Sequence, residues 1–357
     1  MELLLLTHGT SEESRSGLDR YAYELINELK KYKDIEVNVL SHVKIGNKFL
    51  PIKKLLNLNK LRNLGYKADI IHMTSPLLVN PYLFSFKNKL VVTIHDLYPF
   101  PMSYTAILRK DRGLNFERAY GILCLKMCGN VRRMIAPFHI VKIDIVNFLK
   151  VNPEKIDVIH LGVNTKKFYN MNINKIYNSI LFWGDPDWLE GVDVTLKVLS
   201  LVTKETDAIL FMKKPFGKSK KYIEKIINEY NISRDSIVFL PSFLSDENLR
   251  LLYNKSMVYL FPSRGGFSLT LLEAMACGTP VITYDTFDIR EVIGRSAFLV
   301  KAGDYMAIKK YILSLFNDNE LYNKIREAGL KRAHELSWEN VAKATLKVYL
   351  NIKKENK

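Results

Sequence analysis

The chain has 357 residues, of which 48% are hydrophobic and 25% charged, a balance typical of globular proteins that excludes a fibre or a disordered tail. Its length is enough for two domains of ordinary size. The 53 Lys+Arg against 37 Asp+Glu give a net charge of +16, while three cysteines are too few for a disulfide framework.

Short apolar runs alternate with segments of helical spacing in the first half of the chain. Helical periodicity is clear at 21–29 and 141–149. Six apolar runs are predicted to be buried strands: 3–7, 36–40, 69–72, 90–94, 134–137 and 156–159. Continuous apolar strands separated by helices are typical of a parallel sheet covered on both faces.

The second half repeats this alternation. Its predicted strands are 180–183, 208–212, 237–240, 258–261, 280–283 and 298–300. A polar, Asn-rich stretch at 168–178 lies between the two sets and predicts a boundary there. We therefore expect an α/β protein of two doubly wound, Rossmann-like domains, 1–170 and 171–337. In such sheets ligands bind beyond the carboxyl ends of the strands.

The positive charge is concentrated in the first half. Residues 1–170 hold 26 basic and 15 acidic side chains (+11), and residues 171–357 hold 27 and 22 (+5). In the segment 42–67, seven Lys/Arg alternate with Leu, Ile and Phe and no acid occurs. This composition fits either a face for anionic lipid headgroups or an anionic substrate, or a Lys-rich solvated helix surface. No zinc-finger, basic-zipper or RNA-binding signature accompanies the charge, so nucleic acid is not an expected partner.

Several familiar sites are missing from the sequence. No G-x-G-x-x-G dinucleotide fingerprint occurs. Cys124 and Cys128 share a helical face, but no further Cys or His stands at ligand spacing, so we expect packing residues and no metal site. No apolar run approaches the roughly 20 residues of a membrane span, and residues 1–6 are too short for a signal peptide. These features predict a cytoplasmic protein.

The segment 261–282, FPSRGGFSLTLLEAMACGTPVI, carries the most specific information. A buried strand ends at Phe261-Pro262, a glycine-containing loop follows, and a helix is predicted from Leu269 to Cys277-Gly278. Loop amides at a helix N-terminus form an anion site suited to a diphosphate. Glu273 lies on this helix among apolar neighbours, where a carboxylate needs a partner; a ribose diol is one.

This segment resembles the group 1 (family 4) glycosyltransferases, retaining enzymes with the GT-B fold that use nucleotide-sugar donors. Four other segments are similar to the family pattern: SGLDRYAYEL at 16–25, VVTIHDLYP at 91–99, IDVIHLGVNTKKF at 156–168 and LPSFLSDENLRLLYNKSMVYLFPS at 240–263. SWENVAKATLKVYLNI at 337–352 looks like the closing helix, about 338–357, that packs back on the first domain. The resemblance therefore covers nearly the whole chain in order and implies two domains that face a central cleft.

The resemblance also implies roles for individual residues. His95 matches a histidine that contacts the transferred sugar, and Asp96 either orients it or caps the following helix. Gly17 matches a first-loop glycine that approaches donor or acceptor, unless it is an ordinary turn glycine. Glu273 would bind the ribose. The expected nucleotide-sugar-binding residues are Gly17, Gly184, Lys213, Arg264, Gly265, Gly266, Phe267, Ser268, Leu269 and Glu273; His72 is expected to be a satisfied loop-edge residue.

The chain departs from the family pattern where the donor phosphate should bind. The family's first glutamate corresponds to Gly265, and its Arg and Lys correspond to Asp185 and Glu190. Two carboxylates beside a diphosphate would repel it. Three explanations remain open: Lys213, Lys214 and Arg264 supply the charge from new positions, the two acids bind sugar hydroxyls of an unusual donor, or transferase activity has been lost.

The resemblance thus implies a glycosyltransferase that moves a sugar from a nucleotide-sugar to an acceptor hydroxyl with retention and without metal or other cofactor. The expected acceptor is a glycan or a lipid-linked molecule, because the first domain faces the acceptor in this family. An anionic membrane surface is an expected partner through 42–67, with Arg132 and Arg133, which would make the protein peripheral on the inner face. The alternative is a catalytically impaired subunit that binds a glycan, a lipid or a partner enzyme.

Overall fold

The computed structural model describes residues 1–9, 17–41, 58–79, 81–97 and 116–356 of the chain. Most of the basic segment 42–67 lies outside the described residues, since only 58–67 is described. The chain divides into two compact units, one of residues 1–161 with 338–357 and one of residues 162–337.

The first unit is built on a six-stranded parallel sheet in the order β2-β1-β3-β4-β5-β6. Its strands are β1 (Glu2–Thr7), β2 (Glu36–Ser41), β3 (Ile70–Met73), β4 (Leu90–Thr93), β5 (Arg133–Ala136) and β6 (Ile156–Val158). Its helices are α1 (Gly17–Leu29), α2 (Leu58–Lys67), α3 (Phe116–Cys128) and α4 (His139–Leu149), with 3-10 helices at Pro76–Leu78, Pro81–Lys89 and Pro153–Lys155. The central strands β3 and β4 are apolar and buried throughout, as expected for strands with both faces covered, whereas the edge strand β2 is partly exposed.

The second unit repeats the design with the sheet order β12-β11-β10-β7-β8-β9, again parallel. Its strands are β7 (Ser179–Phe182), β8 (Ile209–Lys213), β9 (Ile237–Leu240), β10 (Val258–Phe261), β11 (Val281–Tyr284) and β12 (Phe298–Val300). Its helices are α5 (Val192–Val202), α6 (Gly217–Glu229), α7 (Asp246–Lys255), α8 (Leu269–Ala276), α9 (Phe287–Ile293), α10 (Tyr305–Asn317) and α11 (Asn319–Glu335).

The C-terminal helix, α12 (Trp338–Glu355), belongs to the first unit. Its amphipathic face is buried, and it is tied to the first sheet by polar contacts as well. Glu355 forms ion pairs with Arg132 (2.6 Å) and Arg133 (2.9 Å), and Lys353 lies 3.0 Å from Asp69. The two arginines that we expected on a membrane face are thus engaged with the end of this helix.

The prediction of two doubly wound units is confirmed by these sheets. The boundary differs from the predicted position: the first unit ends at Leu161, and residues 162–170 belong to the second. Val163 donates its N–H to Leu336 O (2.8 Å), and the Phe168 ring packs edge-on against Tyr253 at 6.1 Å. The Asn-rich composition of 168–178 reflects local turns, such as Asn170 Oδ1 accepting from Asn172 N–H (3.1 Å), and not a linker.

Candidate functional site

The sheet of the second unit reverses its winding between β7 and β10. The chain passes from β7 outward to β8 and β9, then returns to β10 on the other side of β7 and continues to β11 and β12. In open α/β sheets, ligands bind at such a switch point, beyond the carboxyl ends of the strands, in what is called here the crevice. Predicted donor residues of the second unit stand at the ends of β7, β8 and β10, at this edge of the sheet.

The loops after β7 and β10 are in close backbone contact. Gly191 has φ +85°, and a Cβ built on it would lie 2.2 Å from Pro262 O. Arg264 donates its backbone N–H to Leu189 O (2.8 Å). A Cβ at Gly184 would lie 2.9 Å from the Phe261 ring. The structure thus gives Gly184, a predicted donor residue, a packing reason for being glycine.

Lys213 and Asp185 form an exposed ion pair at the carboxyl ends of β8 and β7. Their Nζ and Oδ1 atoms are 3.3 Å apart, and Lys213 also lies over the Trp183 ring at 5.1 Å from its centroid. The Asp185 side chain is 79% exposed, so this pair is weak and exchanges readily. Lys214, the neighbouring candidate, is exposed and donates its backbone N–H to Leu240 O (2.7 Å).

Arg264 is held in a bidentate ion pair with Asp193 in the first turn of α5. Both N–O distances are 2.9 Å. The guanidinium also stacks on the Trp188 ring at 4.5 Å and donates to Trp188 O (2.5 Å). Arg264 therefore fixes the β7–α5 loop, and its charge is already balanced. Sequence reasoning missed Asp193, although its place just after Gly191 at a helix start was a signal for an N-terminal acid.

The glycine-containing loop after β10 is organised by its own polar groups. Gly265 donates its N–H to Ser263 Oγ (3.0 Å), and Gly266 has φ +89°. Phe267 donates its N–H to Asp288 Oδ2 (2.7 Å) on α9. One amide of the predicted anion site thus already holds a carboxylate of the protein itself. Asp288 was not identified from the sequence, because 21 residues separate it from Phe267.

The start of α8 is capped as the sequence predicts. Ser268 is the N-cap residue, and its Oγ accepts from Thr270 N–H (3.4 Å). Leu269 is the first helical residue, so the helix begins where it was expected. The positive end of α8 therefore lies at the carboxyl edge of the sheet, beside the crevice.

Glu273 lies deeper in α8 and is only 2% exposed. Its Oε2 accepts a hydrogen bond from Tyr253 OH (3.2 Å) on α7. Burial and the nearby Glu273 carboxylate raise the pKa of Tyr253 well above its ordinary value, so this hydroxyl stays protonated and donates. The buried carboxylate thus has a partner within the fold; its predicted contact with ribose stays a prediction.

In the first unit, His95 follows β4 at the carboxyl edge of the sheet. Its Nε2 lies 3.2 Å from Thr74 O, which assigns the proton to Nε2 and leaves Nδ1 as an acceptor. Burial lowers the pKa of His95 to about 4, although the bond to Thr74 opposes the shift. The ring of Tyr21 meets it edge-on at 4.6 Å. His95 is therefore a neutral imidazole at pH 7.

A buried hydrogen-bonded chain lies beneath His95. Tyr21 OH is 3.0 Å from Thr93 Oγ1, which is 2.8 Å from His72 Nε2; His72 Nδ1 is 2.6 Å from Tyr349 OH on α12. Our expectation of a loop-edge position for His72 is wrong, since it lies within β3 and is 1% exposed. Burial, with a contribution from His95, lowers its pKa to about 3. Tyr21 and Tyr349 were missed because nothing local in the sequence links them to His95.

The two remaining first-unit candidates lie at the surface. Asp96 is exposed beside His95, and Gly17 is the exposed first residue of α1. A Cβ built on Gly17 would have no atom of the described residues within 4 Å, so their packing does not require glycine there. Among the described residues, no group of three or more His, Cys, Asp and Glu is arranged to hold a metal ion. In the same part of the chain, no helix is both long and apolar enough to cross a membrane.

Family models match both units of the chain. The model of group 1 glycosyl transferases matches residues 164–332, and that of glycosyltransferase family 4 matches residues 15–167. The chain is 34% identical over 215 residues, or 58% of its length, to the MMP alpha-(1->4)-mannosyltransferase of Mycolicibacterium hassiacum. The match spans about half of that relative, 51% of its length.

Solved structures share the fold over nearly the full chain. Sucrose-phosphate synthase of Thermosynechococcus elongatus superimposes with a TM-score of 0.74 at 20% identity, covering 98% of both chains. The HepE protein of Anabaena in complex with UDP-glucose gives a TM-score of 0.71 at 16% identity, covering 98% of this chain and 100% of that one. With the two parallel sheets, these likenesses identify the fold as GT-B.

Proposed function

The chain belongs to the group 1 glycosyltransferases, and we propose that it transfers a sugar, most simply a hexose, from a nucleotide-sugar to an acceptor hydroxyl with retention of configuration. The observation that carries this proposal is the reversal of sheet order between β7 and β10, with Lys213 at the end of β8 and the positive end of α8 at the same carboxyl edge. A site of that charge and shape suits the diphosphate of a nucleotide-sugar.

Lys213 is the cation best able to meet the departing diphosphate. Its partner Asp185 is highly exposed, so a phosphate oxygen replaces that carboxylate at little cost in free energy. Arg264 instead remains paired with Asp193 and keeps the wall of the crevice in place. Stabilising the leaving phosphate would supply much of the rate enhancement, since the phosphate itself accepts the proton of the acceptor hydroxyl in this scheme.

His95 contacts the transferred sugar in this proposal. Because its pKa is lowered to about 4, the imidazole is neutral at pH 7, and Nδ1 accepts a hydrogen bond from a sugar hydroxyl. Asp96 lies beside it at the surface as a second acceptor. Glu273 would bind the ribose, and Gly17 would let the backbone approach donor or acceptor. The reaction as proposed requires no metal ion or other cofactor.

We further propose a glycan or lipid-linked acceptor and a cytoplasmic setting, peripheral to an anionic membrane. The buried cysteines Cys124, Cys128 and Cys277, none of which is in a disulfide, support a reducing compartment. The net charge of +11 over residues 1–170 supports an anionic acceptor or surface.

The test compares Lys213→Gln with Lys214→Gln, which removes the same charge from the adjacent, exposed position. Transfer or donor hydrolysis is measured with UDP-glucose, the nucleotide-sugar of the HepE complex, and with UDP- and GDP-linked mannose, because one relative is a mannosyltransferase. Loss of a contact to the leaving phosphate is expected to lower kcat/KM by about 10- to 100-fold in Lys213→Gln, with Lys214→Gln close to wild type. The anomeric configuration of the product, read by NMR, tests retention. Equal losses in both variants would contradict the role of Lys213.

A non-catalytic subunit is the second candidate, and one contact favours it. The carboxylate of Asp288 already occupies the Phe267 amide, which a donor phosphate would otherwise use. Calorimetric titration with UDP and GDP separates the two functions: the transferase binds at least one nucleotide, and the subunit binds neither and shows no turnover.

A further inference from the structure

The first unit contains a cavity of about 460 Å³ at the amino ends of β4, β5 and β6. His95 follows the carboxyl end of β4, so the cavity lies at the opposite edge of the same sheet. Its lining includes Arg132, which was expected on a membrane face, but none of the residues predicted to contact donor or sugar.

Three cations line this cavity, one ahead of each of three neighbouring strands. Lys87 lies in the 3-10 helix before β4, Arg132 directly precedes β5, and Lys155 ends the 3-10 helix before β6. Adjacent strands are about 4.8 Å apart, so the backbone positions of the three span roughly 10 Å. This spacing allows long side chains to converge on one small anion.

Neighbouring cations at this edge are engaged within the protein. Lys89 Nζ donates to Ala68 O (2.6 Å), and Arg133 donates to Glu154 O (2.5 Å). By contrast, within the described ranges the ammonium groups of Lys87 and Lys155 have no hydrogen-bond or ion-pair partner. The Nε of Arg132 is buried and likewise lacks a partner there. The cations that line the cavity are therefore those with hydrogen-bonding capacity left over.

The rest of the wall favours an anion as well. Asn88 and Asn130 contribute amide groups, and none of the described residues that line the cavity has a carboxylate. The end of α12 holds the wall in place: Glu355 pairs with Arg132 at 2.6 Å, and Asn356 Nδ2 donates to Asn88 O (3.1 Å). A fixed arrangement reduces the ordering cost of binding.

We propose that this cavity is a binding site for a phosphoryl group. Phosphate offers several strong acceptor oxygens, which match the guanidinium, two ammonium groups and two amides better than a carboxylate does. The group is carried either by a small soluble phosphate compound or by a phospholipid headgroup. The site is independent of the sugar-transfer chemistry at the carboxyl edge.

The test uses Lys87→Gln/Lys155→Gln, which leaves the Arg132–Glu355 pair intact. Lys30→Gln/Lys33→Gln is the matched control, since both lysines are exposed and precede β2, at the far end of the same sheet edge. Both double variants lose two positive charges. Inorganic pyrophosphate is titrated by calorimetry, and vesicles of phosphatidylglycerol with phosphatidylcholine are tested by flotation at low salt. Binding at the carboxyl edge of the second unit is common to both variants and cancels in the comparison.

Pyrophosphate affinity at least tenfold lower in the cavity variant, with the control near wild type, identifies a soluble phosphate ligand. Vesicle binding that is lost only in the cavity variant, without pyrophosphate binding, identifies a lipid headgroup. Both results support the phosphoryl site. The proposal is overturned if the two variants bind both probes equally well. It is also overturned if the wild type binds neither probe.

Discussion

Arg264 and Asp193 are joined by two hydrogen bonds of 2.9 Å, which connect the loop after β10 to the first turn of α5. Their side chains are 17% and 25% exposed, so the pair is better shielded than a surface ion pair. Arg264, one of three cations that the sequence offers to the donor phosphate from new positions, is therefore a structural link between the two loops of the crevice.

This link predicts the behaviour of Arg264→Ala and Asp193→Ala. Each is expected to destabilise the protein by about 1–3 kcal/mol, because a bidentate charge-assisted contact is lost and one charge is left unpaired. The double variant should lose much less than the sum, as a double-mutant cycle on thermal unfolding would show. Strictly additive losses would contradict the pairing.

Replacing Asp185 tests whether its charge opposes the donor. Asp185→Asn frees Lys213 and removes a carboxylate from the crevice edge, so the KM for the nucleotide-sugar is expected to fall by roughly two- to fivefold. Asp235→Asn is the control, since Asp235 is exposed at the amino end of β9. A KM that rises in Asp185→Asn would instead indicate that this carboxylate binds a sugar hydroxyl.

The loop contact at Gly191 predicts a large difference between two glycines with positive φ. Gly191→Ala places a Cβ 2.2 Å from Pro262 O at φ +85°, whereas a Cβ at Gly217, with φ +56°, has no atom of the described residues within 4 Å. We expect a cost of about 1 kcal/mol for Gly217→Ala from backbone strain alone, and of several kcal/mol for Gly191→Ala. Similar unfolding midpoints for the two variants would show that the loops separate easily.

Gly17 offers a test that separates binding from stability. Because a Cβ at this position meets no atom within 4 Å of the described protein, Gly17→Ala should leave the unfolding midpoint unchanged or slightly raised. If a ligand approaches this backbone, the KM for donor or acceptor rises severalfold. Unchanged kinetics in a stable variant would mean that Gly17 is an ordinary helix-start residue.

The buried histidines predict acid sensitivity of the first unit. The pKa values of His72 and His95 are lowered to about 3 and about 4, so the folded state binds fewer protons than the unfolded state below pH 6.5. Stability is therefore fully present above pH 6.5 and falls toward pH 4, by about 1.4 kcal/mol per pH unit for each histidine.

Unfolding midpoints measured from pH 8 to pH 4.5 test this dependence. His72→Gln or, if that variant does not fold, His95→Gln should flatten the profile. His334 is exposed, so His334→Gln is the control and should show the same pH dependence as the wild type. If the unfolding midpoint depends on pH with the same slope in the wild type and in all three variants, the loss of stability at acid pH comes from other groups.

Local sequence patterns were sufficient to predict the buried strands, the start of α8 and the two-unit α/β fold. Apolar runs such as those of β3 and β4 identify buried strands without further information, because a strand covered on both faces has no polar alternation. Ser268 and the glycines that follow β10 identify the start of α8, since capping is a contact between near neighbours. The order of the family-like segments then identifies the two-unit α/β fold.

Only the tertiary structure decided which side chains form hydrogen bonds and ion pairs with each other. The parallel sheet places β10 beside β7, which brings Arg264 to Asp193 across 71 residues, and α12 brings Tyr349 to His72 across 277. A charged or polar side chain forms hydrogen bonds with the groups that tertiary packing brings next to it. The amino-acid composition does not determine which groups these are. The sequence therefore determined which residues stand near the crevice, and packing determined that Arg264 is occupied while Lys213 remains exchangeable.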